Sequence, residues 1–321
     1  MSSVRVTFLG SDRWSVPSLE ALAGSEHDLA LVATRAPKPA GRGSKLTPTP
    51  VADSARRLGL ELIEPGTVKS GEGFERLRRS EPDVLIVVAY GEILPAAVLT
   101  LPRIAPVNLH FSLLPELRGA APVQRALLEG LVVTGVTTIR MDEGLDTGPI
   151  LLRAEEPVDP EDDAGSLGDR LAAVGARLLT DTVDRLAGAG LQATPQDDAL
   201  VSFAPKLGPE DRWIDWTRPA DEVHRRVRAL SPDPGATTRF RGDVLKMFRA
   251  TTRPESGTPG TVIEVGKDGF VVAAGAGSVA PLEVAPAGRR RMSAGDFVRG
   301  ARLGVGERFE PPAPDSAAAD R

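Results

Sequence analysis

Seven residues, Val84–Tyr90 (VLIVVAY), form the most apolar run in the chain and constrain its fold more than any other stretch. The run is far too short to cross a bilayer, which takes about 20 residues. Its lack of polar alternation predicts a strand covered on both faces, as in the middle of a parallel sheet. The chain before it agrees. Val4–Leu9 is a short apolar strand ending at Gly10, SVPSLEALAG reads as a helix capped by Ser15 and stopped by Gly24, and DLALVAT is a second strand. Strand, helix, strand implies a right-handed crossover and parallel pairing. A dinucleotide fingerprint would need three spaced glycines after the first strand, and Gly10 stands alone, so NAD binding is not supported.

Further on, VADSARRLGLEL predicts a helix and a strand, Glu72–Arg79 a polar helix, and Ala121–Glu129 a helix stopped by Gly130. TGVTTIRM and PILLRAEEPV read as strands around the turn-rich loop Asp142–Gly148. Ser166–Leu186 is amphipathic at helical spacing, with Ser166 as the expected cap, and closes a first domain. The loop-like stretch ATPQDDALVSFAPKLGPED sets a boundary near Lys206, giving domains over 1–205 and 206–309. After a helix within WIDWTRPADEVHRRVRAL come GATTRF, VLKMFRA, TVIEVG, GFVVAAG and PLEVAPA, short strands that predict a small β-barrel. Residues 310–321 read as a disordered tail.

Composition removes several functions. With no cysteine, thiolate metal sites, cysteine nucleophiles and disulfides are out, and three histidines make a multi-histidine zinc site a poor expectation. A net charge of −5 gives no blanket attraction to nucleic acid but leaves room for a local basic patch. No signal-peptide organisation or membrane span is found, so a soluble cytoplasmic protein is expected; separately, a monomer is expected.

The candidate site follows from NLHFSLLPELRGAAP, residues 108–122. Asn108 and His110 are two apart at the end of an apolar run, so they share one face of a strand and project toward the crevice above its carboxyl end. Leu113, Leu114 and Pro115 add an apolar patch beside them. His27, between Glu26 and Asp28, reads as solvated, and His224 lies in the helix of the second domain, which leaves His110 as the candidate histidine. Ser112 lies close to His110 but lacks the Gly-x-Ser-x-Gly elbow of a serine hydrolase, and one His with one carboxylate is a poor transition-metal set.

Asn108, His110, Ser112, Leu113, Leu114, Pro115, Arg118, Gly119 and the later Asp146-Thr147-Gly148 together resemble the signature of the folate-dependent formyltransferases. Length and flanks resemble the members that act on methionyl-tRNA, from VRVTFLG to about Phe309. The resemblance implies a Rossmann-like, mostly parallel sheet with helices on both faces, then an OB-like β-barrel. It implies Asn108, His110 and Asp146 as the catalytic trio, and 10-formyltetrahydrofolate as co-substrate, with no metal. The folate would lie on Ser112, Leu113, Leu114 and Pro115 and on Tyr90, Gly91, Ile93 and Leu94 of the loop after the central strand. Arg35–Pro50, rich in Pro and Gly with four cations and no acid, reads as a structureless loop suited to phosphates. It resembles the family's tRNA-binding loop, which singles out Arg42 and Lys45. Lys206 and the run Arg289, Arg290, Arg291 are the other expected tRNA contacts. The family usually has Gly-Thr-Pro where this chain has Gly10-Ser11-Asp12.

Formyl transfer to an amine needs a donor aimed at the developing oxyanion and a group that moves protons near neutral pH. An Asn amide suits the first and an imidazole, with an ordinary pKa of about 6.5, the second. A carboxylate can orient the ring. The expected reaction is formylation of methionine on initiator tRNA. The rivals are the same chemistry on an amino sugar nucleotide or another small amine, hydrolysis of the formyl donor, and a non-catalytic nucleic-acid-binding module. The cationic loop and second domain argue against a small acceptor.

Overall fold

A computed structural model describes residues 3–40, 45–188 and 190–310, with the side chains of Ala40 and Lys45 left out. Arg42 lies outside these residues, as does the expected tail apart from Glu310, which pairs with Arg239. The chain divides into two compact units. The first comprises Met1–Pro122, Val133–Pro157 and Gly168–Ala204, and the second Val123–Val132, Val158–Leu167 and Pro205–Arg321.

The elements of the first half run β1 (Arg5–Gly10), α1 (Val16–Ala23), β2 (Asp28–Ala33), β3 (Lys38–Ala40), β4 (Lys45–Thr47), α2 (Pro50–Arg57), β5 (Leu62–Ile63), α3 (Gly71–Arg79), β6 (Val84–Val88), α4 (Ala96–Leu99), β7 (Ala105–His110), α5 (Pro122–Glu129), β8 (Val133–Arg140), β9 (Ile150–Pro157) and α6 (Ala164–Ala187). The main sheet has the order β5-β2-β1-β6-β7-β8-β9. Strands β5 to β7 are parallel, and β8 and β9 are added antiparallel. β6 is buried at every position, as its unbroken apolar run requires. Close packing then orients β7. A Cβ on Gly175 of α6 would fall 2.7 Å from a methyl of Leu109, so this glycine lets the helix press on the Leu109 face of β7. Alternation puts Asn108 and His110 on the other face.

Several local expectations are corrected. Ser15 is not a helix cap: Asp12 accepts the Trp14 N–H at 3.0 Å to open a 3-10 turn at Arg13–Ser15, and the Ser15 hydroxyl bonds the Val88 carbonyl at 2.7 Å. Ser166 is not the cap of α6 either. Asp163 is, accepting the Ser166 N–H at 2.8 Å while Ser166 Oγ accepts the Asp163 N–H at 3.0 Å. The stretch 35–50 is not structureless at its base, because β3 and β4 pair antiparallel. His27 is not solvated: it is buried and its Nε2 lies 3.1 Å from Asp184 Oδ1. Flanking acids gave no hint of a partner 157 residues away.

The second unit contains α7 (Ala220–Ala229), β10 (Ala236–Phe240), β11 (Asp243–Arg253), β12 (Val262–Val265), β13 (Phe270–Ala273), β14 (Ser278–Pro286), β15 (Met292–Ser293), α8 (Ala294–Ala301) and β16 (Phe309–Glu310). Its antiparallel sheet runs β12-β13-β14-β11-β10-β16, with β15 on β14. The sheet curls until its ends meet, where Val262 N–H donates to Glu307 O at 2.8 Å and Phe309 N–H to Gly260 O at 2.7 Å. Phe240, Phe270, Phe297 and Phe309 fill the interior, and Trp216 Nε1 is satisfied by Thr238 Oγ1 at 3.0 Å.

Candidate active site

β7 ends in the site. Within the sheet Asn108 lies between Val87 and Ile139, and His110 faces Thr137. Asp146 arrives from the loop between β8 and β9. That loop is built on Asp142, whose Oδ1 accepts the Gly144 N–H at 3.0 Å and the Thr147 hydroxyl at 2.7 Å. It closes at Gly148, where a Cβ would lie 1.9 Å from the Arg140 carbonyl oxygen. Asp146 itself has φ of 56°, in the left-handed region that costs most residues energy but that Asp tolerates.

Three groups converge on the Asp146 carboxylate. Asn108 Nδ2 donates to Oδ1 at 3.3 Å, the Gly119 N–H donates to Oδ2 at 2.9 Å, and His110 Nδ1 stands 3.6 Å from Oδ2. His110 Nε2 lies 2.9 Å from the Leu117 carbonyl, so the neutral ring carries its proton there and presents Nδ1 to the carboxylate. The side chains of His110 and Asp146 are only 6% and 13% exposed, so little water competes for them. The structure thus brings together Asn108, His110 and Asp146, which sequence placed in one crevice. Among the described residues, no group of three His, Cys, Asp or Glu side chains is placed to hold a metal ion.

A strap over 194–204, read in sequence only as a boundary loop, turns out to hold the site. Gln196 Nε2 donates to the carbonyls of Asp146 and Gly148, both at 2.7 Å, while its Oε1 accepts from Arg118 Nε and Nη2 at 3.0 and 2.8 Å. Ala204 N–H donates to Arg118 O at 2.7 Å, Arg118 N–H donates to Ser202 O at 2.9 Å, and Leu117 N–H donates to Ser202 Oγ at 2.9 Å. Arg118 is therefore a buried brace. No local signal marks Gln196, because its partners lie 48 to 78 residues away.

The residues expected at the folate divide in two. Ile93 is 75% exposed and Gly91, at φ of 84°, presents bare backbone. Tyr90 and Leu94 belong to the core, and burial, with Glu92 nearby, pushes the Tyr90 phenol well above its ordinary range, so it stays protonated. The expected apolar patch is mostly turned inward. Leu114 packs with Ile139 and Ile150, Pro115 is buried, and Leu113 lies against Gly135. The Ser112 hydroxyl is spent on Glu116 O at 2.6 Å. Side chains with so much of their surface in the core cannot form an open patch. Of the expected tRNA contacts, Lys206, Arg289, Arg290 and Arg291 are exposed. Arg291 stacks over Phe248, 3.7 Å from the ring centroid, beside a pocket of about 470 Å³ that the three arginines line with Lys246. Lys45 opens β4.

The family described as formyl transferase matches residues 4–183, and the formyl transferase C-terminal domain matches residues 206–302. The methionyl-tRNA formyltransferase of Syntrophomonas wolfei is 43% identical over 306 residues, 94% of this chain and 98% of that one. That of Geobacter metallireducens is 41% identical over 309 residues, covering 96% and 99%. Among solved structures, HypX from Aquifex aeolicus in complex with tetrahydrofolic acid shares the fold over 95% of this chain and 49% of that one, with a TM-score of 0.68 at 19% identity. With relatives this similar over nearly their whole length, the chain belongs to the methionyl-tRNA formyltransferase family.

Proposed function

We propose that the chain transfers the formyl group of 10-formyltetrahydrofolate to the amino group of methionine on initiator methionyl-tRNA, with Asn108, His110 and Asp146 as its catalytic residues. One observation carries the assignment: an amide, an imidazole and a backbone N–H gathered within 3.6 Å of a single carboxylate. When bound, the folate supplies the formyl group as an amide on its N10. The donor set fits that group. Asn108 is a neutral N–H donor for the formyl oxygen as it gains charge. Asp146 holds the incoming amine through an N–H, and His110 carries the proton that the amine loses to the nitrogen that leaves. Because Nε2 is held by Leu117, the traffic falls to Nδ1.

The folate is assigned to the open backbone around Gly91 and Ile93 and to the 112–115 turn, with Tyr90, Leu94, Ser112, Leu113, Leu114 and Pro115 acting mainly by fixing the shape of the wall. Arg42, Lys45, Lys206, Arg289, Arg290 and Arg291 are assigned to tRNA phosphates, a role supported by the exposure of the last four. The test offers 10-formyltetrahydrofolate with methionyl-tRNA, an amino sugar nucleotide, or water alone. Formyl should appear on methionyl-tRNA; formylated sugar nucleotide or released formate as the main product would overturn the reading.

A further inference from the structure

A second pocket, of about 340 Å³, opens where β1 and β2 end and is lined in part by Ser11, Asp12, Arg13, Arg35, Lys38 and Thr47. None of these is used in the catalytic assignment. We infer that this pocket is a phosphate subsite, taking the 5′-phosphodiester of the acceptor's terminal nucleotide. The inference rests on the formyl-transfer reading and assigns part of its acceptor site.

Charge comes first. Three cations and one acid line the pocket. Asp12 is occupied as a cap on the Trp14 N–H, and Arg13 pairs with Asp169 at 3.0 Å. Arg35 is different. Its Nε is buried and has no hydrogen-bond partner among the described residues. Its guanidinium lies over Gly91, where a Cβ would fall 3.3 Å from Cζ and Nη1, so the plane is held against the loop that follows β6. A buried guanidinium N–H without an acceptor is costly, and a planar fork fixed in orientation suits the oxygens of a phosphate. The Ser11 hydroxyl accepts from Arg35 N–H and from Thr34 Oγ1, both at 3.3 Å, which leaves its own proton to donate.

Position comes second. β6 lies between β1 and β7 in the sheet, and at about 4.8 Å per spacing the pocket stands roughly 10 Å across from the strand of Asn108 and His110. That is the reach of one nucleotide. The Trp14 ring stands beside Phe111, the neighbour of His110, with centroids 6.0 Å apart, so the turn that lines the pocket also touches the signature. Gly10-Ser11-Asp12, where the family usually has Gly-Thr-Pro, is the turn that supplies this hydroxyl and cap.

The test compares two minimal acceptors, 3′-O-methionyladenosine with and without a 5′-phosphate, using methionyl-tRNA as the control. Wild-type protein should use the phosphorylated ester with kcat/KM higher by about tenfold or more, mostly through KM, as expected for a charge-assisted contact. Arg35→Ala should bring the ratio near one, and Arg35→Lys should keep part of it. Equal use of the two esters by wild type, or a ratio that survives Arg35→Ala, overturns the subsite. A rise in KM for 10-formyltetrahydrofolate instead of the acceptor would assign the anion to the folate's carboxylates and overturn it as well. If methionyl-tRNA itself is not formylated, the functional reading has failed, a result distinct from any of these.

Discussion

Asp146 is where single-residue physics decides the site. One oxygen takes the Asn108 amide and the other takes the Gly119 N–H, with the imidazole next in line. Asp146→Asn would set an amide N–H against one of those donors. We expect kcat to fall by about 10²- to 10⁴-fold with folate affinity little changed; steady-state formylation with a folate-binding assay checks this, and a variant with near-normal kcat would remove Asp146 from the chemistry. Gly119 is the second decisive residue. Its φ of 129° is one that L side chains rarely adopt, and a Cβ would lie 2.6 Å from the Ala204 carbonyl oxygen. Gly119→Ala should cost about 1 to 3 kcal/mol in denaturant unfolding and also lower kcat, because its N–H would leave Asp146. Strand periodicity, a local signal, made Asn108 and His110 legible as a pair, whereas Asp146 was singled out by the resemblance to the family signature. It was silent on Gln196, whose amide is fully engaged but only by distant groups.

Elements were legible wherever burial was uniform or strictly periodic. β6 announced itself by composition, and the parallel order followed from crossover handedness. Helix starts were less legible, since a serine before an apolar run is as good a cap on paper as an aspartate three residues earlier. Packed helices carry consequences that periodicity hides, and α7 is the clearest. Burial lowers the His224 pKa below its ordinary value, with Arg228 adding to the effect against Glu161, Asp221 and a backbone bond at Ala250. The fold therefore prefers the neutral ring, and the unfolded chain binds the proton more readily. Stability from this group is complete above the ordinary histidine value of about 6.5 and is lost as pH falls through the lower folded value. Denaturant midpoints should drop between about pH 7.5 and pH 5.5, and His224→Gln should flatten that drop. An unchanged pH slope in the variant would place the acid sensitivity elsewhere.

On the scale of the whole chain, the boundary visible in sequence and the physical division do not coincide. Val123–Val132 and Val158–Leu167 precede Lys206 but belong to the second unit. Their bonds show why. Arg125 makes a two-point pair with Asp211 at 3.1 and 3.0 Å, Gly165 N–H donates to Ser231 O at 3.3 Å, and Arg228 donates to Asp162 O at 3.1 Å. Composition cannot reveal this, because a segment's allegiance depends on partners far along the chain. A fragment ending at residue 205 would keep Arg125, Asp162 and Gly165 while removing what satisfies them. Leaving a half-buried Arg and several backbone groups unpaired should cost about 3 kcal/mol, or roughly 10 °C in a domain of this size. Thermal unfolding of the fragment beside the intact chain measures this. A fragment that melts where the intact chain does would mean that these segments are only lightly held, and that the second unit can be removed as cleanly as its sequence boundary suggests.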